Sequence, residues 1–155
     1  MLEMIGGKGK VVAVDIDIRK HNRQAIEKHP LSKRITMIEG SSIDPEVIAR
    51  VKKEAKGKKR ILVTLDSNHS HDHVLRELEL YSPLVTLGSY IVVFDTVVEY
   101  MPKGSVQNRP WDRGSNPATA AKKFLRTNKN FVPDLSIDNK LIISCAPKGY
   151  LKRIR

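Results

Sequence analysis

Apolar residues in this chain fall into two alternating kinds of segment. Short, nearly unbroken runs occupy residues 11–17, 34–39, 60–65 and 89–96. Between them, apolar positions recur every three or four residues. Unbroken runs of this length predict strands buried on both faces of a mainly parallel sheet, and the spaced stretches predict helices packed over it. The first run passes through Val11, Val12, Ala13 and Val14 to Asp15 and Asp17, and Gly6-Gly7-Lys8-Gly9 reads as the turn into it. Residues 19–28 are weakly patterned, and Pro30 stops that helix. After the second strand, Asp44 is an N-cap and Pro45 takes the first helical position. Val47, Ile48, Val51 and Ala55 then form one stripe, and Gly57 ends it.

The third strand delivers Asp66, Ser67, Asn68 and His69 to a loop. Ser70 is the expected N-cap of a helix with Asp72 in its first turn. Val74, Leu75, Leu78 and Tyr81 form its buried stripe, with Arg76 and Glu77 on the solvated side, and Pro83 terminates it. The fourth strand again ends on a carboxylate, Asp95. Residues 99–116 make a long Pro-, Gly-, Asn- and Arg-rich loop holding the single tryptophan, Trp111, and ordered loops of this length are usually functional. Asn116-Pro117 opens a helix with apolar positions Ala118, Ala121, Phe124 and Leu125. Residues 131–132 and 140–146 read as a strand pair joined by residues 133–139, which places an antiparallel strand at the far side of the sheet. The whole is an α/β, Rossmann-like three-layer sandwich. With neither repeat nor linker, the 155 residues read as a single domain.

Composition narrows the function classes. No apolar run approaches the roughly 20 residues of a membrane span, and the basic start is unlike a signal peptide. The lone Cys145 excludes an internal disulfide, reads as a small buried residue of the last strand, and fits a cytoplasmic location. A net charge of +11 suits anionic partners, but the 28 Lys and Arg are scattered through the chain and aromatics are only 5%. Specific nucleic-acid binding is therefore disfavoured against nonspecific attraction.

Two neighbouring strands that each end on Asp suit a hard cation held by few protein ligands and several waters. Each Asp alone would serve equally well as a helix cap. Asp15 closes its strand where nucleotide-binding α/β folds hydrogen-bond ribose. His69-x-His71-Asp72-His73 lacks one residue of the HxHxDH zinc-hydrolase spacing, and His71 and His73 read as solvated. His69, in the loop between strand and helix, stands apart from them.

The motifs Val14-Asp15-Ile16-Asp17, Gly40-Ser41-Ser42, Leu65-Asp66-Ser67-Asn68-His69 and Phe94-Asp95-Thr96 resemble the cephalosporin hydroxylase family. So do Asn108-Arg109-Pro110-Trp111, Asn116-Pro117 and the closing run from Ala146 to Ile154. That family includes rhamnosyl O-methyltransferases and has the S-adenosylmethionine-dependent methyltransferase fold. The resemblance implies cofactor binding by Asp15, Asp17, Ser41, Ser42 and Asp66. It implies Mg²⁺ at Asp66 and Asp95, His69 as general base, and a small-molecule hydroxyl acceptor such as a sugar under the Trp111 loop. Phe94 stands where some relatives carry a further acidic ligand. The family's first strand and Gly-rich loop have no counterpart, so the chain reads as N-terminally incomplete. That leaves a gap between the strands bearing Asp15 and Asp66, open to a partner chain or a second copy. Three readings follow: an O-methyltransferase domain, a noncatalytic remnant binding a ligand or partner, and a basic nucleic-acid module.

Overall fold

The computed structural model describes residues 9–155, so the turn expected at Gly6-Gly7-Lys8-Gly9 lies outside the described residues but for Gly9. The chain forms two compact units, Met1–Lys56 and Gly57–Arg155. In the first, β1 (Val11–Asp15) and β2 (Ile35–Glu39) pair in parallel, with α1 (Lys20–Lys28) between them and α2 (Pro45–Ala55) following. The Asp44 carboxylate accepts the Glu46 and Val47 N–H groups at 2.8 and 3.3 Å, the cap that the sequence predicts. Val47, Ile48 and Val51 are buried. Gly40, at a φ of 140°, allows β2 to turn close to α2, because a Cβ there would lie 2.7 Å from Val47 Cγ2. α1 buries no residue, in keeping with its weak pattern.

In the second unit, β3 (Val63–Leu65) runs parallel to β4 (Tyr90–Val93). The sheet continues antiparallel through β6 (Tyr150–Arg153) to β5 (Phe131–Pro133). Helices α3 (His71–Tyr81) and α4 (Pro117–Thr127) pack on each other and against this sheet. The small residues Ala120 and Ala121 are buried beside Phe124, whose ring meets Phe131 with centroids 5.7 Å apart. Leu78, Ile91, Val93 and Leu151 are fully buried, each worth about 1.5–3 kcal/mol of transfer free energy. Among the described residues, β1 and β3 each leave one edge without a strand neighbour. No described helix is long and apolar enough to cross a membrane.

The C-terminal strand pair needs correcting. Residues 135–140 form a short helix, α5 (Leu135–Lys140), begun where Asp134 Oδ1 accepts the Ser136 N–H. Residues 141–146 are not a strand, and Ile142 and Ile143 are 98% and 92% exposed. The partner of β5 is β6, since Phe131 is in register with Arg153. Consequently Cys145 is exposed and belongs to no strand. A continuous apolar run is only a strand where the backbone finds a ladder to join. Here the nine residues between α5 and β6 loop beyond the sheet's end.

Candidate active site

The parallel register sets Leu65 opposite Val93, and the Phe94 N–H donates to the Leu65 carbonyl at 3.0 Å. The residues following β3 and β4 therefore emerge side by side. Asp66 leaves β3 directly, whereas Asp95 takes the left-handed region, with φ at 54°. Non-glycine residues occupy that region at a cost, Asp at less cost than most, and such strain persists only where the surroundings enforce it. His69 closes the group. Its Nε2 lies 2.9 Å from Asp95 Oδ2 and 3.5 Å from Asp66 Oδ1. One donor atom from each residue falls within a 4.8 Å cluster. Nε2 is buried without an aligned hydrogen bond, while both carboxylates reach solvent. Two carboxylate oxygens and an otherwise unsatisfied imidazole nitrogen suit a divalent cation.

Trp111 stands beside His69, its ring centred 5.1 Å from the imidazole, and the Arg109 guanidinium lies over the indole at 5.4 Å. The loop is held from behind. The Asn116 side chain caps α4, accepting from Ala118 and Thr119, and its amide donates to the Glu99 carboxylate and the Asp112 carbonyl. The Gly114 N–H also donates to Glu99, at 2.9 Å. That backbone donor first, and Asn116 second, hold the Glu99 carboxyl below its ordinary pKa. Asp112 is lowered likewise by the Gly104 and Arg113 N–H groups. Thr119 Oγ1, part of the capping box, lies 2.7 Å from His71 Nδ1, which links α4 to the start of α3.

These contacts overturn three expectations. His71 is not simply solvated, because it meets Thr119. His73 is 17% exposed, with Nε2 3.6 Å from Glu77 Oε1. Glu77 lies on the buried face of α3, at 2% exposure, not on its solvated side. The sequence reading gave no site role to Glu77, Glu99 or Asn116, although Asn116 was the expected start of α4. Glu77 was findable, since it sits three residues after Val74 and four before Tyr81, on the helix's own apolar period.

The sequence model of the rhamnosyl O-methyltransferase/CmcI family matches residues 1–154. The chain belongs to that family. Rhamnosyl O-methyltransferases of Mycobacterium bovis and Mycobacterium tuberculosis are 32% identical to it over 160 residues, covering 99% of this chain and 59% of theirs. The Mycobacterium leprae protein of the same name is 33% identical over 153 residues, covering 96% of this chain and 61% of its own. The chain thus spans about three-fifths of the length of these curated relatives. By structure it is similar to the MycE methyltransferase of the mycinamycin biosynthetic pathway, solved in complex with Mg, SAH and mycinamycin VI. The TM-score is 0.53 at 18% identity, covering 96% of this chain and 37% of that one. A second MycE structure, with Mg and SAH, gives 0.54. That likeness establishes the methyltransferase fold for this family member.

In the first unit, the residues expected at the cofactor lie at the carboxyl ends of the strand pair. The Gly40 N–H donates to the Asp15 carbonyl at 2.8 Å, which draws Ser41 and Ser42 to the end of β1. Asp15 Oδ1 accepts the Asp17 N–H at 3.1 Å, and both side chains are exposed. A cleft of about 310 Å³ opens beside Asp15, lined also by Val14, Ile18, Asn22, Ala25 and Ile26. Its wall includes Asn22, Ala25 and Ile26 of α1, a helix that buries none of its own residues.

Proposed function

We propose that both units belong to one S-adenosylmethionine-dependent, Mg²⁺-assisted O-methyltransferase domain acting on a hydroxyl of a sugar or small polar metabolite. The observation that carries the reading is the convergence of Asp66, His69 and Asp95 beyond the adjacent ends of β3 and β4. The names of the curated relatives favour a sugar hydroxyl, and the ligands of MycE favour Mg²⁺ and the spent methyl donor.

In this reading Asp66 and Asp95 hold the cation, which when bound lowers the pKa of an acceptor hydroxyl. His69 receives the hydroxyl proton as the acceptor oxygen forms its bond to the donor's methyl carbon and the carbon–sulfur bond breaks. Trp111, its ring tilted against that of His69, orients the imidazole and excludes water from the acceptor. Asp15 and Asp17 take the ribose hydroxyls, with Ser41 and Ser42 beside the base. Alignment of the two reactants supplies much of the rate in such a displacement.

A second reading, a noncatalytic domain that binds a ligand or partner chain, draws support from the open edges of β1 and β3. Calorimetric titration with S-adenosylhomocysteine, with and without Mg²⁺, separates the two. Saturable binding weakened at least about tenfold by Asp15→Ala is expected for the enzyme, about 1.4 kcal/mol. A folded chain that gives no heat would favour the second reading.

A further inference from the structure

Glu77 is a buried carboxylate that the proposed chemistry does not use. At 2% exposure it occupies a position on the α3 stripe where an apolar side chain would pack without desolvation cost. Its Oε1 accepts the Ser67 hydroxyl at 2.7 Å, and His73 Nε2 approaches the same oxygen at 3.6 Å from one turn earlier. Oε2 has no hydrogen-bond partner among the described residues. Burial, and secondarily the charge of Glu77, push the Tyr81 phenol up to about 12. A carboxylate kept in such surroundings needs a compensating role. Ser67 supplies one, because it lies between Asp66 and the turn in which Asn68 Oδ1 accepts the Ser70 N–H. Five residues separate β3 from α3, and the Ser67–Glu77 bond clamps this loop to the second turn of the helix.

We propose that Glu77 is a positioning residue that, through the Ser67 hydroxyl, fixes the 66–69 loop so that Asp66 and His69 converge with Asp95. The inference rests on the metal reading above and touches none of the donor atoms directly. Partners one step removed from metal donors typically alter affinity 10- to 100-fold.

The test is Mn²⁺ affinity, read from the free-ion paramagnetic resonance signal, with far-UV circular dichroism as the check on folding. Glu77→Leu and Ser67→Ala are each expected to weaken Mn²⁺ binding about tenfold. The double variant should be no worse than either single one. Glu77→Gln and Ser67→Thr, which keep an acceptor and a hydroxyl, should bind to within about twofold of wild type. If Glu77→Leu fails to fold, Ser67→Ala at its exposed position decides alone. Wild-type-like affinity in Ser67→Ala, or losses that add independently, would overturn the proposal. If the wild type itself ignores Mn²⁺, the metal reading falls. Amide hydrogen exchange then judges the clamp. Faster exchange confined to residues 66–70 in both variants supports it, and unchanged exchange refutes it.

Discussion

Asp95 shows at the scale of one residue how position and strain combine. Its left-handed backbone is a conformation that a glycine adopts without the Cβ penalty. Asp95→Gly should therefore be more stable than Asp95→Ala by about 1 kcal/mol, while both lose cation binding. Denaturant unfolding of the two variants measures the difference, and an alanine variant of equal or greater stability contradicts it. The positions of Asp66 and Asp95 at strand ends were legible, because each stands where an apolar run gives way to polar residues. The meeting of Asp66 and Asp95 was expected from their neighbouring strand ends, whereas the closeness of His69 to both was not legible, since it depends on the left-handed turn at Asp95 and on the parallel register of Leu65 with Val93. Glu77 was misassigned for the opposite reason. Its charge suggested solvent, although its helical phase placed it inside.

Among the elements, the loop of residues 101–115 has no regular structure, yet it is fastened by Glu99, Asp112 and Asn116. A carboxyl whose pKa is depressed on folding contributes stability that is present above its unfolded value and lost as pH falls through the folded value. For Glu99 the ordinary value is 4.5, so the Trp111 loop should loosen as pH drops below it. Fluorescence of the single tryptophan reports this, and Glu99→Gln should shrink the acid change. An unaltered amplitude would show that other groups fasten the loop. Helices α1 to α4 and the parallel strands were legible from their caps and periods, with Asp44-Pro45 and Asn116-Pro117 marking two helix starts to the residue. The last antiparallel strand was not. Its alternation is carried by Leu151 alone among Tyr150, Lys152 and Arg153, whereas the more apolar run at 141–143 joins no ladder. Ile142→Asp and Ile143→Asp should thus each change stability by less than about 0.5 kcal/mol. Leu151→Ala should cost about 2–5 kcal/mol. Chemical denaturation compares the three, and a large loss at Ile142 or Ile143 would restore the strand that the sequence suggested.

Across the whole molecule, two units each carry part of the proposed machinery, with the ribose-facing acids on the first and the cation cluster on the second. Among the described residues, β1 and β2 of the first unit and β3 and β5 of the second each leave one strand edge unpaired. The excess of positive charge is scattered through the sequence and aromatics are only 5%, which fits weak attraction to anions better than specific readout. The central claim is that Asp66 and Asp95 hold one divalent cation beside His69. It is tested most directly by Mn²⁺ added to the ¹⁵N-labelled protein, with paramagnetic broadening mapped residue by residue. The account predicts broadening centred on residues 65–70 and 94–97, abolished in Asp95→Ala with the fold intact. Broadening centred elsewhere, or unchanged in that variant, would contradict it.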